Sequence, residues 1–125
     1  MILGIGIDII DIPRVKRIAE EYGDDFVLKL FSEIEIAYCR SKKNPEINFA
    51  ARFAAKEAFL KALGSGLRGG IDWKDIQVIN DDLGKPFIFP SGRAERAANK
   101  IGVAVTHLSI SHTADYAAAV VVLED

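Results

Sequence analysis

The sequence predicts an α+β domain, and three stretches carry that prediction. The N-terminal "GIGIDII", residues 4–10, alternates as a strand does, with Ile5, Ile7 and Ile9 on one face and Gly4, Gly6 and Asp8 on the other. "PEINFAARFAAKEAFLKAL", residues 45–63, is a long helix dense in alanine. The final runs "VAVTHLSISH" and "YAAAVVVLE" are β-rich and are separated by a short turn at Thr113, Ala114 and Asp115, the pattern of a hairpin.

The elements follow in order. In the first strand the isoleucine row is expected to anchor the core. The bare glycine face is expected to leave room for a helix or a ligand to come close. Asp11 can cap a first helix, with Pro13 tolerated in its first turn. Val15, Ile18, Ala19 and Tyr22 form its apolar stripe, and Gly23 stops it. Ser32 followed by Glu35 is a capping box for a second helix running to about Arg40, which "SKKNP" breaks. Asn44 and Pro45 open the third helix and Gly64 closes it. On it Phe49, Phe53, Leu60 and Leu63 share one face. Ala50, Ala51, Ala54, Ala55, Ala58 and Ala62 cover most of the remainder, so it reads as a central helix packed on several sides. "GSGLRGG" is a loop. Short strands at 76–79 and 87–89 flank the turn "NDDLGKP", and "PSGRAERAANK" is a last helix before the hairpin.

At 125 residues the chain is one domain with enough length to bury a core. A formal net charge of −2 gives no general attraction to nucleic acid or anionic membrane, so electrostatic recognition must come from a local patch. Cys39 is the single cysteine, which excludes a disulfide framework and suits a reduced, cytoplasmic setting. The N-terminus lacks a basic n-region and Asp8 interrupts it early, so no signal peptide is expected. No apolar run approaches the roughly 20 residues that span a bilayer.

Glu57 and Lys61 are four apart on the third helix and therefore neighbours. On an exposed helix they would be an ion pair worth about 0.2–0.5 kcal/mol. On a helix buried nearly all round, the carboxylate needs a partner, which Lys61, another cation or a metal ion could supply. Asp8 taken alone is a strand-end carboxylate, and "GxG" lacks the spacing of a dinucleotide fingerprint. Two carboxylates on separate elements, Asp8 and Glu57, suit a hard cation such as magnesium, which takes one or two carboxylates with waters and phosphate oxygens. In "HLSISHTADY" His107, Ser109 and Ser111 share a strand face while His112 lies on the other, so the two histidines cannot converge on a metal. A serine near a histidine reads there as strand-edge polarity. Arg14 and Arg17, with Lys16, face away from the first helix's stripe as solvated charges, to which an acidic partner would give a role.

Taken together, "GIGIDIIDIPRV", "FAARFAAKEAFLKALGSG", "GKPF" and "LSISHTADYAAAVVV" resemble the holo-acyl-carrier-protein synthases, the short single-domain 4′-phosphopantetheinyl transferases, over the whole of residues 1–125. The resemblance implies a small antiparallel or mixed sheet packed on the long central helix. It implies transfer of 4′-phosphopantetheine from coenzyme A to a serine hydroxyl of apo acyl carrier protein. Adenosine 3′,5′-bisphosphate leaves, Mg2+ sits at the pyrophosphate, and the product serves fatty acid biosynthesis. By motif, Asp8 and Glu57 resemble the metal ligands and Lys61 the lysine that neutralises phosphate charge, the three together being the catalytic set. Arg52 and Lys56, with Lys42 or Lys43, are the implied phosphate contacts. Gly64, Ser65, Pro86, His112 and Thr113 would line the coenzyme A cleft. Arg14 and Arg17 would dock the acidic carrier. Glu20, Glu21, Asp24 and Asp25 stand where such proteins usually carry more positive charge, which predicts weaker long-range steering. The family assembles as a homotrimer with each active site shared between neighbouring subunits. Glu35 has a family counterpart, although its capping box is a sufficient account of it. Two rivals from other classes are a non-catalytic domain that binds a nucleotide or coenzyme A, and a magnesium-dependent phosphohydrolase acting through the same carboxylates.

Overall fold

Gly4 and Gly6 decide how this chain folds, because they let a strand lie directly on a helix backbone. The computed structural model describes residues 1–125. In chain order it contains β1 (Ile2–Asp11), α1 (Ile12–Tyr22), α2 (Asp24–Leu30), α3 (Glu33–Arg40) and α4 (Pro45–Leu63). Two single 3-10 turns, Arg68–Gly70 and Trp73–Asp75, lead to β2 (Ile76–Asn80), β3 (Pro86–Pro90), α5 (Gly92–Ile101), β4 (Val105–His112) and β5 (Tyr116–Glu124). The strands form a three-stranded sheet in the order β1-β5-β4 and a separate ribbon of β2 with β3. Every pairing is antiparallel.

α4 lies across β1 and β5. A Cβ added at Gly4 would stand 2.0 Å from the carbonyl oxygen of Ala62, and one at Gly6 would stand 1.9 Å from that of Ala58. Ala54, Ala55 and Ala58 on the facing helix are fully buried. Glycine on the strand and alanine on the helix therefore bring two backbones together, burying main chain and methyl groups where larger side chains would hold them apart.

This reverses the sidedness expected of β1. The inner face carries Gly4, Gly6 and Asp8, continued on β5 by Ala117, Ala119, Val121 and Leu123, all buried. Ile5, Ile7 and Ile9 point outward and are 60%, 65% and 64% exposed. Alternation says which residues share a face; the covered face is the one that the helix can approach.

A second apolar cluster lies beneath α1–α3, where Ile12, Val15, Leu30, Phe31 and Cys39 meet Phe49 and Ala50 of α4. Asp11 caps α1 by accepting from the Arg14 amide at 3.0 Å. Tyr22, assigned to the apolar stripe, is instead exposed, because Gly23 (φ 58) turns the chain away into α2. α2 was not expected: its seven residues carry no side-chain cap, and burial of Val27 and Leu30 holds it. The hairpin forms as expected, with the Thr113 hydroxyl accepting from the amides of Asp115 and Tyr116. No helix is long and apolar enough to cross a membrane.

Candidate active site

Asp8 is the third inner-face position of β1, so the packing that buries Gly4 and Gly6 also aims its carboxylate at α4. Lys61 of α4 meets it there, its ammonium donating to Asp8 Oδ1 at 2.9 Å and to the Ile7 carbonyl at 3.0 Å. Asp8 Oδ2 is buried and has no hydrogen-bond partner. Glu57 stands beside this pair. Burial first, and then the negative charge of Asp8, raise its pKa above the usual carboxylate value, while Lys61 pulls it down. Asp8 and Glu57, which the glycine face of β1 leads one to expect close together, are both neighbours of Lys61, Asp8 through its hydrogen bond and Glu57 one helical turn before it. Glu57, Lys61 and Gly64 line an open cleft of about 490 Å³ whose far wall includes Leu67 and Trp73. Gly64 takes the left-handed conformation (φ 79) that ends α4, and Ser65 follows at the cleft's edge.

This donor set fits a magnesium ion. An orphaned buried carboxylate oxygen lies beside a second carboxylate that disfavours its own charge, and both conditions are relieved by a cation.

The basic residues gather elsewhere. Lys42, Lys43, Arg52, Asn80, Pro86 and His112 line a second cleft of about 420 Å³. Arg52 is only 3% exposed. Its guanidinium lies 4.1 Å over the Tyr38 ring and donates through Nη2 to Asn80 Oδ1, while its Nε is buried without a partner. The Lys42 ammonium covers the same ring at 4.6 Å. The cleft thus offers several positive charges and an unsatisfied donor, which is the chemistry of an anion site. Thr113 lies exposed just beyond His112, at the hairpin turn.

Lys56 belongs to neither cleft. It is 0% exposed, its ammonium donates to Glu35 Oε1 at 2.8 Å and to the Trp73 carbonyl at 2.9 Å, and it lies 5.2 Å from the Phe31 ring centre. Fully buried and absent from the lining of both clefts, Lys56 does not reach a bound phosphate, contrary to its expected role as a phosphate contact. Glu35, in turn, does more than complete its capping box, since it is the buried partner of that charge. Arg14 and Arg17 are exposed on α1, and Arg14 borders a small apolar hollow with Ile18, Phe26 and Phe53. Cys39 is buried, and burial pushes its thiol up to about 11, which disqualifies it as a nucleophile.

Sequence reasoning missed Tyr38, Trp73 and Asn80. Asn80 reads locally as the start of a turn, and nothing near Tyr38 in the chain signals that a guanidinium fourteen positions on will stack over it.

A family profile described as the 4′-phosphopantetheinyl transferase superfamily matches residues 4–121. Among curated relatives, the holo-(acyl-carrier-protein) synthase of Trichlorobacter lovleyi is 52% identical, covering 99% of this chain and 98% of its own. That of Koribacter versatilis is 47% identical over the full length of both chains. The crystal structure of the Neisseria meningitidis holo-(acyl-carrier-protein) synthase superposes with a TM-score of 0.92 at 35% identity, covering 100% of both chains. The Helicobacter pylori enzyme, solved in complex with coenzyme A, superposes at 0.84 with 32% identity, over 96% of this chain and 99% of its own. The fold, the paired carboxylates on β1 and α4, and these likenesses agree: the chain belongs to the 4′-phosphopantetheinyl transferase superfamily, among its short holo-(acyl-carrier-protein) synthases.

Proposed function

We propose that this chain transfers 4′-phosphopantetheine from coenzyme A to a serine hydroxyl of apo acyl carrier protein, releasing adenosine 3′,5′-bisphosphate. The observation that carries the reading is Asp8 Oδ2, buried without a partner and held against Lys61, which lines an open cleft together with Glu57. Asp8 and Glu57 would hold Mg2+, which when bound would neutralise charge on the pyrophosphate. Lys61, half-exposed at the same cleft, supplies a fixed positive charge for the oxygens on which negative charge grows. Glu57 lines the same cleft and is the carboxylate there placed to receive the serine proton. At the donor's other end, Arg52, with Lys42 or Lys43, binds nucleotide phosphate, while Pro86, His112 and Thr113 line the nucleotide's path.

The two clefts share no lining residue. Arg52 and Lys61 are nine residues apart on α4, about two and a half turns, and so lie on opposite sides of the helix. Within one chain the two clefts therefore face away from each other across α4. We infer that each active site joins the carboxylate cleft of one subunit to the basic cleft of a neighbour in a homotrimer, and that the outward isoleucine row of β1 provides apolar contact area for that assembly. Arg14 and Arg17 receive the acidic carrier, with the hollow at Ile18, Phe26 and Phe53 taking an apolar side chain from it. The work is cytoplasmic and supplies holo carrier for fatty acid biosynthesis.

Incubation with coenzyme A, magnesium and apo acyl carrier protein, followed by mass spectrometry of the carrier, tests the reading. The carrier should gain the mass of phosphopantetheine, and Asp8→Ala or Glu57→Gln should abolish the gain. Coenzyme A binding without any gain would favour a binding domain, and free phosphopantetheine formed without carrier would favour a hydrolase. Either result would overturn the proposal.

A further inference from the structure

We propose that Glu35 and Lys56 form a positioning pair for the transfer reaction, tying the wall of the carboxylate cleft and the wall of the basic cleft to one buried point. The proposal rests on the reading that these clefts bind the coenzyme A donor.

Both side chains are 0% exposed, and their charged ends meet at 2.8 Å. Each uses its remaining capacity on a different element. Lys56 also donates to the carbonyl of Trp73, whose residue walls the Glu57–Lys61 cleft and whose ring packs on Phe53 at 5.3 Å. Glu35 Oε1 accepts from the Ser32 amide at 3.0 Å, and Oε2 accepts from the Val78 amide of β2 at 3.1 Å. Two residues further along that strand and on the same face, Asn80 accepts from Arg52 in the basic cleft.

β2 and β3 pack on the core through Ile76, Val78 and Ile88, and such ties add direction to that packing. They form a ribbon with no hydrogen-bonded ladder to the main sheet, and a two-stranded ribbon is weakly held on its own. The ribbon nonetheless carries Asn80 and Pro86 to the cleft that His112 enters from the main sheet. Its side-chain anchors are Glu35 to Val78, Ser32 Oγ to Gln77 Oε1 at 2.7 Å, and Arg52 to Asn80. The Glu35–Lys56 pair is the node whose bonds reach toward both clefts.

Stability alone does not account for it. Burying two charges costs desolvation, and apolar residues of similar volume commonly match or exceed a buried pair in stability. An apolar pair cannot supply directional bonds to the Val78 amide and the Trp73 carbonyl, which fix where β2 and the turn before it stand against α4. Neither residue reaches a cleft, so each acts on the substrate only through the groups it holds.

The test is steady-state kinetics of the parent, E35D and the double variant E35Q/K56M, with the folded fraction and sedimentation measured on each. The double variant leaves no unpaired buried charge and E35D keeps both charges while shortening the reach, so the two perturb the pair in different ways. Positioning predicts that kcat/KM for coenzyme A falls about ten- to a hundredfold in folded protein, while KM for the carrier, read by α1, stays at the parental value. Parental kcat and KM for coenzyme A in a folded variant would overturn the proposal, as would a loss no larger than the drop in folded fraction. A parent that transfers nothing would instead sink the functional reading on which the proposal stands.

Discussion

Replacing Gly6 by alanine tests the geometry that brings the site together. The added Cβ would stand 1.9 Å from the carbonyl oxygen of Ala58, 2.8 Å from the amide nitrogen of Ala62 and 2.9 Å from the Ala58 carbonyl carbon. Ordinary contact begins at 3.4 Å, so relief requires 3.4 − 1.9, or about 1.5 Å, of separation between β1 and α4. Every atom met is main chain, and no rotamer change can absorb the overlap. Overpacking of a close-packed core typically costs about 1–3 kcal/mol, and this case belongs at the upper end because the strand must move as a unit. Asp8 is two residues along the same face, so the movement also carries its carboxylate away from Glu57. A misplacement of about 1 Å at reacting groups can cost about a hundredfold in rate. Gly6→Ala should therefore lower the denaturation midpoint, and at temperatures where it remains folded it should lose most of its transfer to carrier protein. If the variant unfolded at the parental urea concentration and transferred phosphopantetheine at the parental rate, the claim that the glycines set the Asp8–Glu57 approach would be refuted.

The exposed isoleucine row, Arg14 and Glu57 each carry a further consequence. Ile7→Lys puts a charge in the middle of the outward isoleucine row, and sedimentation should give a monomer with intact far-ultraviolet dichroism and greatly reduced transfer; an unchanged trimer would show that the row lies outside the interface. Arg14→Glu should raise KM for carrier protein at low salt by at least about two- to fivefold, the worth of an ion pair of up to about 1 kcal/mol, and the difference should shrink as salt is added. Glu57 predicts a pH effect in chelator-treated protein. Its folded pKa lies above the unfolded value of 4.5, so its stabilising contribution is complete below pH 4.5 and is lost as pH rises through the folded pKa. Asp8→Asn removes one cause of that shift and should flatten the decline in urea midpoint above pH 4.5; a decline as steep as the parent's would show that Asp8 does not load Glu57.

The sequence made the site's carboxylate half legible because its signals were local. Asp8 follows two glycines at strand spacing, Glu57 and Lys61 are one helical turn apart, and small residues on both elements announced a close approach. The hairpin and the capping box were legible for the same reason. What stayed hidden depends on contacts distant in the chain. Lys56 and Glu57 are adjacent, yet their side chains point to different surroundings, and nothing local tells a cleft carboxylate from a buried lysine whose partner is 21 positions away. The sidedness of β1 was hidden for a related reason. Strict alternation of isoleucine and glycine would normally place the isoleucines inward, and only the matching alanine surface of α4 makes the glycine face the better-packed one.

That reversal links the chemistry to the assembly. Once glycine and alanine bring β1 onto α4, period-two alternation forces Ile5, Ile7 and Ile9 to the outside, opposite Val122, Val120 and Ala118 of β5. Across the same sheet face, β4 presents His107, Ser109 and Ser111. The result is an apolar band on an edge strand with a polar border, a surface that an isolated chain pays for in aggregation hazard and that self-association relieves. The requirement that aims Asp8 at Glu57 thus also creates an exposed apolar surface, the one on which the proposed assembly would draw. A variant that restored the conventional arrangement, with isoleucine inward and glycine outward, would lose both at once: the strand would stand off the helix, and the sheet would have no apolar band to share. For this chain, the active-site geometry and the exposed apolar row of β1 are two readings of one alternation in residues 4–10.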